Sequence, residues 1–494
     1  MSQATLKGIF WSLTAALALA LAAGCNFAPK YTVPPLATPT AFKETNGWKT
    51  AEPADTVIKG KWWEMFNDPQ LNALEDQVSI SNQTLVAALE NFLAARAVAK
   101  QARSQLFPTV TADPSYTKAQ ASSNGGGSVG GASSQGGNLY SSYSLPLDAT
   151  WEPDLWGSIR NTVAASVYSA QATAAQLENM RLTVEAELAV DFYELRAQDE
   201  LIALYSNTIA SYKDSLDLTK TLFESGIDSD LDVAQADSLL ETTLAQATAL
   251  GIQRAQYEHA IALLVGQSAS IFSLNPAPRA YKAPLVPLGL PAQLLERRPD
   301  IAAAERAVAE ANASIGVARA AYYPTVSLTG GTGFQSSTLS KLVQSSSFYW
   351  AAGVAASETI FDAGKRKAVT EQSWANYRAN AATYRQAVLT AFQQVEDNLA
   401  ALRILSTETD QQDVAVRAAQ RNLDLAVQRY RLGINSYLNV ITAQVSLLSN
   451  QQTAVSIHMQ QMTSSVQLVM ALGGGWTTND LPSTKRVIHD TASH

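Results

Sequence analysis

The chain has 494 residues, of which 47% are apolar and 16% are charged. This composition is typical of a large folded protein and excludes a disordered one. The 35 basic and 43 acidic residues give a formal charge of −8 without any basic cluster, which excludes nucleic acid as a partner. One cysteine excludes an internal disulfide framework and a multi-thiolate metal site.

The N-terminus has the pattern of a bacterial secretion signal. Lys7 precedes an uncharged apolar run that is shorter than the ~20 residues of a membrane span. The run ends in Ala22-Ala23-Gly24-Cys25, which resembles a lipobox, where cleavage occurs just before an acylated cysteine. We predict a lipoprotein signal peptide over 1–24 and a lipid-anchored segment over 25–69, with Cys25 carrying covalent lipid. A plain secretory signal with an incidental cysteine is the alternative.

The rest of the chain contains an internal duplication. LFPTV at 106–110 recurs as YYPTV at 322–326, and ESGIDSDLDV at 224–233 recurs as RLGINSYLNV at 431–440. The second match has an offset of 207 residues and the first has a slightly larger one. The difference indicates that the Gly/Ser-rich stretch 122–138 is a loop insertion confined to the first repeat.

Each repeat has strand periodicity in its middle, which predicts β-hairpins over 109–151 and 325–361. In the first hairpin apolar residues alternate with polar ones, the apolar set being Tyr143, Leu145, Leu147, Ala149 and Trp151. The pattern alone fits a membrane barrel or a soluble sandwich, but isolated hairpins between long helices favour the barrel. Four strands cannot close a barrel, since open edges in lipid leave amides unsatisfied. Three copies would supply twelve strands and leave a lumen.

Very long helices follow both hairpins. Residues 158–224 and 365–431 contain neither proline nor glycine, and at ~1.5 Å per residue each would extend about 100 Å. Apolar residues recur at every seventh position, which predicts left-handed coiled coils. Returning helices are predicted over 229–265 and 436–472, after turns at Gly226 and Gly433.

These elements give the predicted domain organisation. Repeat one spans 70–274 and repeat two spans 293–476, each consisting of a helix, a hairpin, a long helix and a returning helix. A proline-rich linker over 275–292 joins the repeats. A polar tail over 477–494 is predicted to be disordered.

Several stretches resemble the outer membrane factors, which are TolC-like channel subunits, and most closely their lipoprotein branch of the NodT and OprM type. The resemblance covers Cys25 to Trp476. The stretches that carry it are KWWEMFNDPQLNAL at 61–74, LFPTV, WEPDLWGSIR at 151–160, LPAQLLERRPDIAAAERAVAEANASIGVARAAYYPTVSLTG at 290–330, and ALGGGW at 471–476.

The resemblance implies a mixed α/β, mostly α, membrane protein. Three chains would form a twelve-stranded barrel in the outer membrane of a Gram-negative bacterium, continuing into a periplasmic coiled-coil tube. The trimer would be a passive efflux channel for small molecules such as drugs, toxic compounds or metals. A periplasmic adaptor would connect it to an inner-membrane pump of the RND type. Protein export by a type I system is the alternative, but the lipobox and the LLERRPDI stretch favour efflux.

Two other classes fit the residues less well. A periplasmic adaptor is also a lipidated coiled-coil protein, but it has one helical hairpin rather than two duplicated ones. The four histidines show no spacing that pairs them with a nucleophile or metal ligand, so the sequence predicts neither an enzyme nor a cofactor. The histidines are His259, His458, His489 and His494.

In the resembling family, leucine and charged rings near the helix turns close the periplasmic mouth. Leu438 matches the leucine position, and Leu231 is its repeat-one equivalent. The charged positions of the OprM-like pattern fall on Thr442 and Val445, so an apolar ring is the predicted gate. We therefore expect Leu438→Ser to open the channel more than substitution of a turn aspartate does.

The repeat-one turn adds four aspartates, which either line the mouth or form a solvated, helix-capping turn. These are Asp228, Asp230, Asp232 and Asp237, of which we take Asp228 and Asp232 as gate candidates. The predicted adaptor-contacting turn residues are Gly226, Ile227, Ser229, Gly433, Ile434, Asn435 and Ser436.

Overall fold

The computed structural model describes residues 25–36, 38–39, 41–44, 60–120, 139–278, 281, 283–284, 286 and 294–489. The predicted signal peptide over 1–24 and the predicted loop insertion over 122–138 lie outside these residues. Parts of the predicted linker and of the predicted tail lie outside them as well.

Helices account for most of the described residues. In chain order they are α1 (Pro69–Ser81), α2 (Gln83–Ser104), α3 (Ser158–Glu224), α4 (Asp230–Leu264), α5 (Leu294–Arg297), α6 (Pro299–Ala320), α7 (Lys365–Arg431), α8 (Tyr437–Ala471) and α9 (Thr484–His489). A short 3-10 helix over Trp62–Phe66 precedes α1.

The two longest helices, α3 and α7, have 67 residues each. Each begins directly after a glycine with positive φ, Gly157 at +79° or Gly364 at +88°. Each is followed by another, Gly226 at +73° or Gly433 at +68°, because the left-handed conformation that stops a helix suits glycine best. The chain then reverses into α4 or α8, which have 35 residues each.

The two helical hairpins pack side by side as a layer. α3 packs against both α4 and α8, and α8 packs against α7, so the order near the turns is α4, α3, α8, α7. Toward the sheet, α3 packs against α2 and α6, and α6 packs against α7. In both parts α7 forms one edge of the layer, and a repeat-one helix (α2 or α4) forms the other.

Shorter helices meet end to end beside the long ones. At the joint between α2 and α4, Ser81 Oγ donates a hydrogen bond to the Val265 carbonyl at 2.6 Å. A glycine makes each joint possible, because a side chain on Gly266 would collide with the Ser81 carbonyl. In repeat two a side chain on Gly473 would collide in the same way with the Arg297 carbonyl.

Two apolar clusters account for much of the core. The larger one joins the 3-10 helix, α1, α3, α7 and α8 at mid-length, with Leu71, Leu188, Phe192, Val395 and Val466 all buried. A second cluster near the turns includes Tyr212, Leu240, Tyr430, Tyr437 and Val440. Removing this apolar surface from water, at roughly 25 cal/mol per Å², holds the hairpins together.

The sheet is fully antiparallel. It contains β1 (Thr109–Ala112), β2 (Ser115–Gln120), β3 (Leu139–Trp151), β4 (Thr325–Ser336) and β5 (Phe348–Ser357). β1 and β2 pair with β3 in one continuous register, Ala112 opposite Leu147 and Ser115 opposite Ser144. They act as one strand interrupted opposite Pro146, which has no N–H to donate. The described chain therefore contributes four strands in the order β1/β2, β3, β4, β5, with unpaired outer edges.

The prediction of a disordered tail over 477–494 is wrong for 477–489. Asp480 caps a short turn at Thr477, and α9 packs Val487 with 0% exposure against Ala99 and Ala170. Burial of this valine among alanines of α2 and α3 fixes an otherwise polar segment, together with hydrogen bonds from Arg96 to the Val487 carbonyl and from Gln171 to the Pro482 carbonyl. The few apolar residues of the segment were too sparse to form a visible period.

Candidate functional site: the helix turns and the polar face of the sheet

The turns of both helical hairpins expose apolar side chains. Ile227 and Leu231 are 67% and 64% exposed, and Ile434 and Leu438 are 59% and 58% exposed. Branched aliphatic side chains grouped at the end of a long hairpin form an apolar surface of the kind that binds another protein. Leu231 and Leu438, the predicted gate residues, thus lie one on each turn.

Asp232 caps its own helix. Ser229 is the N-cap of α4, and its Oγ accepts a hydrogen bond from the Asp232 backbone N–H at 3.3 Å. In return the Asp232 carboxylate accepts from the Ser229 hydroxyl at 2.6 Å and from the Ser229 backbone N–H at 3.4 Å. This capping box satisfies two donors at the helix start. Of the two roles considered for the turn aspartates, helix capping is therefore the one that Asp232 has.

Asp228 instead links the two turns. The hydroxyl of Tyr430, at the end of α7, donates a hydrogen bond to the Asp228 carboxylate and lies 3.1 Å from Thr219 Oγ1. Tyr430 is 4% exposed, and its burial together with the Asp228 hydrogen bond raises the pKa of its phenol well above the usual range. A hydrogen bond to a carboxylate is about twice as strong as a neutral one, so this contact holds one hairpin to the other.

The repeat-two turn lacks charge. Asn435 accepts a hydrogen bond from Arg429 Nε at 3.3 Å, and Ser436 is the N-cap of α8 without a side-chain cap bond. From Leu432 to Asn479 the sequence has no Asp, Glu, Lys or Arg. The whole of α8 is therefore without a formal charge, in contrast to α4.

The sheet has one apolar and one polar face. The strand register places large apolar side chains on one face, among them Val110, Tyr116, Leu145, Leu147, Leu328, Phe334, Trp350 and Val354. The other face carries small or polar residues, among them Thr111, Ser115, Ser144, Thr150, Thr329 and Gln335. In a membrane barrel the apolar face contacts lipid and the polar face lines the lumen.

Among the described strands and the β1/β2 interruption, the charged residues on the polar face of the sheet are two aspartates. Asp148 lies opposite Thr111 and Gly331, and a Cβ at Gly331 would approach Asp148 Oδ1 to 2.6 Å. Asp113 lies in the interruption between β1 and β2, where the shared register places it opposite Pro146. Both carboxylates are exposed.

Cys25 lies at the junction between the sheet and the long helices. It is an exposed free cysteine, and its carbonyl accepts a hydrogen bond from Arg160 Nη2 at 3.2 Å. Two residues on, the ring of Phe27 stacks on Tyr323 with 4.3 Å between centroids. The first described residues are thus fixed next to the start of α3.

Two further observations concern the described residues. No helix among them has both the length and the hydropathy required to cross a bilayer. Nor do three His, Cys, Asp or Glu side chains in these ranges come together in an arrangement that could hold a metal ion.

The architecture defines a class of protein. Helices of 67 residues continue from a sheet with one lipid-compatible face, and the sheet has free edges that only further copies can pair. This is the design of a trimeric outer-membrane channel with a periplasmic helical tube.

Comparison with known proteins identifies the family. The family model for outer membrane efflux proteins matches residues 74–267 and 290–474, and the chain belongs to this family. It is 33% identical to the solvent efflux pump outer membrane protein SrpC of Pseudomonas putida over 94% of this chain and 98% of that protein. It is 28% identical to the cation efflux system protein CusC of Escherichia coli over 93% of this chain and 97% of that protein.

A solved structure shows the same fold. The outer-membrane channel OprN superposes with a TM-score of 0.85 at 29% identity, over 92% of this chain and all of that one. The predicted fold class, the outer-membrane location and the function as an efflux channel are confirmed. The protein is a non-enzymatic transport component.

Sequence reasoning missed Tyr430 and Asp113. Tyr430 ends the apolar seven-residue stripe of α7, a position typical of a core residue, although its hydroxyl needs a polar partner when buried. The aspartates of the repeat-one turn were the candidates to accept a hydrogen bond from this hydroxyl. Asp113 was missed because Pro114, next to it in the chain, interrupts the alternation of the first strand.

Proposed function

We propose that this channel is the passive exit duct of a tripartite efflux system. Its partners are a periplasmic adaptor and an inner-membrane pump of the RND type. The supporting observation is the unbroken course of α3 and α7 from the sheet to the exposed apolar turns. Helices of 67 residues extend about 100 Å, so with the sheet in the outer membrane the turns lie deep in the periplasm, where a partner can cover them.

The proposed cargo is small and organic. SrpC, at 33% identity, is named as a solvent efflux protein, whereas CusC, named as a cation efflux protein, is 28% identical. The test expresses the chain together with a candidate adaptor and RND pump in a Gram-negative strain lacking its own channels. We expect toluene and dye tolerance to rise while copper tolerance stays unchanged. A rise in copper tolerance alone, or protein export without dye efflux, would contradict the proposal.

The adaptor is proposed to contact the turns at Gly226, Ile227, Ser229, Gly433, Ile434, Asn435 and Ser436. Ile227 and Ile434 are the exposed apolar members of this set. Changing both to Asp should abolish co-purification of the adaptor while trimers persist, because a charge on the contact surface must be desolvated. Substituting Ile271, which is 78% exposed and distant from the turns, serves as the control.

The gate is proposed to combine two parts. Leu231 and Leu438 of three copies would form an apolar constriction that excludes water. The hydrogen bond between Tyr430 and Asp228 would keep the hairpins together so that the constriction stays narrow. Asp232, already engaged in its capping box, would contribute only through the stability of its turn.

The lipid anchor at Cys25 is also a proposal. The described contacts hold Cys25 beside the sheet–helix junction, which is the level of the membrane surface and within reach of acyl chains. Each buried methylene contributes about 0.8 kcal/mol, so several acyl chains form a firm anchor. Cys25→Ser should abolish labelling by a fatty-acid analogue while much of the trimer still assembles, since strand pairing drives insertion. An unlabelled wild-type protein would refute the anchor.

A further inference from the structure

A cavity of about 750 Å³ lies beside α3, between the sheet and the turns. Its wall includes Lys61, Asp76 and Ser79 of α1, Glu185 of α3, and the glycines 473–475 after α8. At ~1.5 Å per residue, Glu185 lies about 40 Å along α3 from the end next to the sheet. Binding sites for small molecules have volumes of roughly 300–1,000 Å³. The cavity is therefore large enough for a small organic ligand.

One acidic side chain in the cavity wall lacks an ionic partner. Two ion pairs use most of the charged groups of the wall, Lys61 with Asp76 at 2.6 Å and Arg181 with Glu178 at 2.9 Å. Asp480 accepts hydrogen bonds from the Thr477 backbone N–H at 2.9 Å and from the Thr477 hydroxyl at 3.1 Å. The remaining acid of the wall is Glu185, whose hydrogen bond among the described residues comes from a neutral donor.

Glu185 is a buried acid that interacts with a second buried acid. It is 6% exposed, and its Oε2 accepts a hydrogen bond from Trp62 Nε1 at 3.1 Å. Glu75 of α1 is 0% exposed, and neither of its carboxylate oxygens has a donor within the described chain. Burial, and then the charge of Glu185, raises the pKa of Glu75. Because a buried carboxylate without a cation is costly, this part of the cavity favours a positively charged ligand.

Tryptophan side chains form another part of the site. Trp63 and Trp476 line the cavity, and Trp62 lies edge-on to Trp63 with 5.8 Å between ring centroids. The face of an indole ring attracts a cation within about 6 Å. A divalent metal ion instead prefers about six or more oxygen ligands, and the described residues bring together no group of acidic, histidine or cysteine side chains that could hold one. A carboxylate beside indole rings suits an organic ammonium ion better.

We propose that this cavity binds a small organic ammonium ion, whose N–H groups donate to the Glu185 carboxylate and whose alkyl part packs against the tryptophans. The wall combines segments from near both ends of the chain with α1 and α3, so a bound ligand would connect all of them. The assignment does not depend on the proposed cargo, adaptor or gate.

The first test measures binding to the full-length trimer by isothermal titration calorimetry in phosphate buffer, with 1,4-diaminobutane as the probe. We expect saturable binding of one diamine per chain, and no binding of the neutral analogue 1,4-butanediol. Glu185→Gln should weaken binding of the diamine by about tenfold or more, because it removes a charge-assisted hydrogen bond.

Glu187→Gln is the matched control for this test. Glu187 is exposed on the same helix and lies outside the cavity wall, so its substitution should leave the affinity for the diamine unchanged. Equal weakening by both substitutions would mean that the diamine responds only to the general negative charge of the protein, and the proposal would be wrong. Displacement of the diamine by an equal concentration of Mg²⁺ would contradict it as well.

A second pair of variants fills the cavity without removing a charge. Ser79→Trp places a large ring in the cavity wall, whereas Ala73→Trp places the same ring at an exposed position of α1 outside the wall. Only Ser79→Trp should abolish binding of the diamine. If Ser79→Trp binds the diamine as tightly as the wild type does, the ligand lies elsewhere.

The third test remains informative even if Glu185→Gln fails to fold. Burial raises the pKa of Glu185 to about 7, whereas a primary amine stays protonated up to about pH 10. The diamine should therefore raise the thermal midpoint of the wild-type trimer more at about pH 8 than at about pH 5, because the ionised carboxylate is the form that binds an ammonium group. An equal rise at both pH values would overturn the proposal.

Other ionisable groups surround Glu185, and a variant separates their effect from its own. They are Lys61, Glu75, Asp76, Glu178, Arg181 and Asp480. Of these, Glu75 is the other buried acid without a partner among the described residues. Glu75→Gln should keep the difference between the two pH values, since Glu185 is still present. Loss of the difference in Glu75→Gln would show that Glu75 binds the ammonium group and that the assignment to Glu185 is wrong.

Discussion

Repeat one buries two carboxylates at positions where repeat two has neutral residues, although the two repeats build the same shape. Both supply a 67-residue helix and a 35-residue returning helix. At the offset of 207 residues, Asp199 corresponds to Ser406 and Glu185 to Phe392. The polar face of the sheet follows the same division, because Asp113 and Asp148 both belong to repeat one.

The clearest difference is a buried ion network in repeat one. Arg196 is 0% exposed; its Nη1 donates to Asp199 Oδ2 at 2.7 Å and to the Asn275 carbonyl at 2.9 Å. Arg254 Nε donates to the other Asp199 oxygen at 2.7 Å, and its Nη2 donates to the Leu274 carbonyl at 2.7 Å. The network therefore fastens the start of the inter-repeat linker to α3 and α4.

The equivalent arginine of repeat two holds a different segment. Arg403 corresponds to Arg196 but is exposed, and its Nη2 pairs with Glu44 at 2.7 Å. Thus the duplicated positions keep an arginine while the segments they fasten differ, the linker in one case and the N-terminal segment in the other. Duplication preserved the scaffold and left each copy free to anchor a different neighbour.

We expect the largest loss of stability from a substitution at Asp199, the buried carboxylate that repeat two lacks. Asp199→Ala leaves Arg196 and Arg254 without their carboxylate, and removing one partner of a buried pair costs about 3–5 kcal/mol. Ser406→Ala, at the matching site of repeat two, should change the free energy of unfolding by less than about 0.5 kcal/mol. Denaturant unfolding of the purified trimers measures both. Equal losses would mean that the network is not specific to repeat one.

A second prediction concerns Glu185. Burial raises the pKa of Glu185 to about 7, although a hydrogen bond from Trp62 Nε1 lowers it. The folded state then favours the protonated acid, so its contribution is complete below the unfolded pKa of 4.5 and is lost as the pH rises through about 7. Stability should fall by roughly 2–3 kcal/mol over that range.

Thermal unfolding from pH 4 to 8 tests this, with Glu185→Gln expected to make the curve less steep; burial also raises the pKa of Glu75 and of Glu178, and these two acids keep part of the slope. The charged and titratable groups that affect this position are Glu75, Glu178 and Arg181. Glu187→Gln, at an exposed site on the same helix, should change the slope less, since it acts only through the raised pKa of Asp191. A wild-type curve that is flat over this window would show that Glu185 is ionised in the folded protein.

Substitutions at the proposed gate should have smaller effects, measured as resting conductance, and they compare the charged turn of repeat one with the neutral turn of repeat two. Leu438→Ser should raise the resting conductance of trimers in planar bilayers most, through a loss of about 1–2 kcal/mol of apolar burial in the closed state. Asp228→Ala should have a smaller effect because it removes only the tether from Tyr430, and Asp232→Ala the smallest. Greater leak in the aspartate variants than in Leu438→Ser would make the gate electrostatic.

The smallest expected effect concerns the lumen. Asp113 and Asp148 of three copies would make the barrel interior negative, so the open channel should prefer cations, and Asp113→Asn with Asp148→Asn should reduce that preference. Because salt screens charges over about 8 Å at physiological ionic strength, the change in reversal potential should fade as salt is raised. Thr329→Asn in repeat two, on the same face, is the neutral control. A preference for cations unchanged by the double substitution would assign selectivity to another part of the tube.

Much of the fold was predictable from local signals. The long helices could be recognised because glycine and proline are absent from them and seven-residue stripes are present, and both depend on neighbouring residues only. The strand alternation around Leu145 and Leu147 was visible for the same reason. The ordered tail was not, because its anchoring depends on Val487 meeting Ala99 and Ala170, a contact across most of the chain.

The candidate site was predictable only in part. The turns themselves could be located from Gly226 and Gly433. The bond between Asp228 and Tyr430 could not, since it joins residues from different repeats whose packing was unknown. Nor could the sequence assign one aspartate to capping and another to tethering, because both follow the same turn and differ only in the direction of the side chain.

The glycine joints at Gly266 and Gly473 have a mechanical consequence. A continuous helix transmits torque along its whole length, whereas two helices that merely abut share no hydrogen-bonded ladder across the joint. In the tube, the helices that meet at these joints, α2 with α4 and α6 with α8, can therefore hinge at mid-length. The continuous helices α3 and α7 are rigid. The helical tube can therefore untwist at its periplasmic end, while the hydrogen-bonded sheet at the other end keeps the diameter of the β-barrel constant.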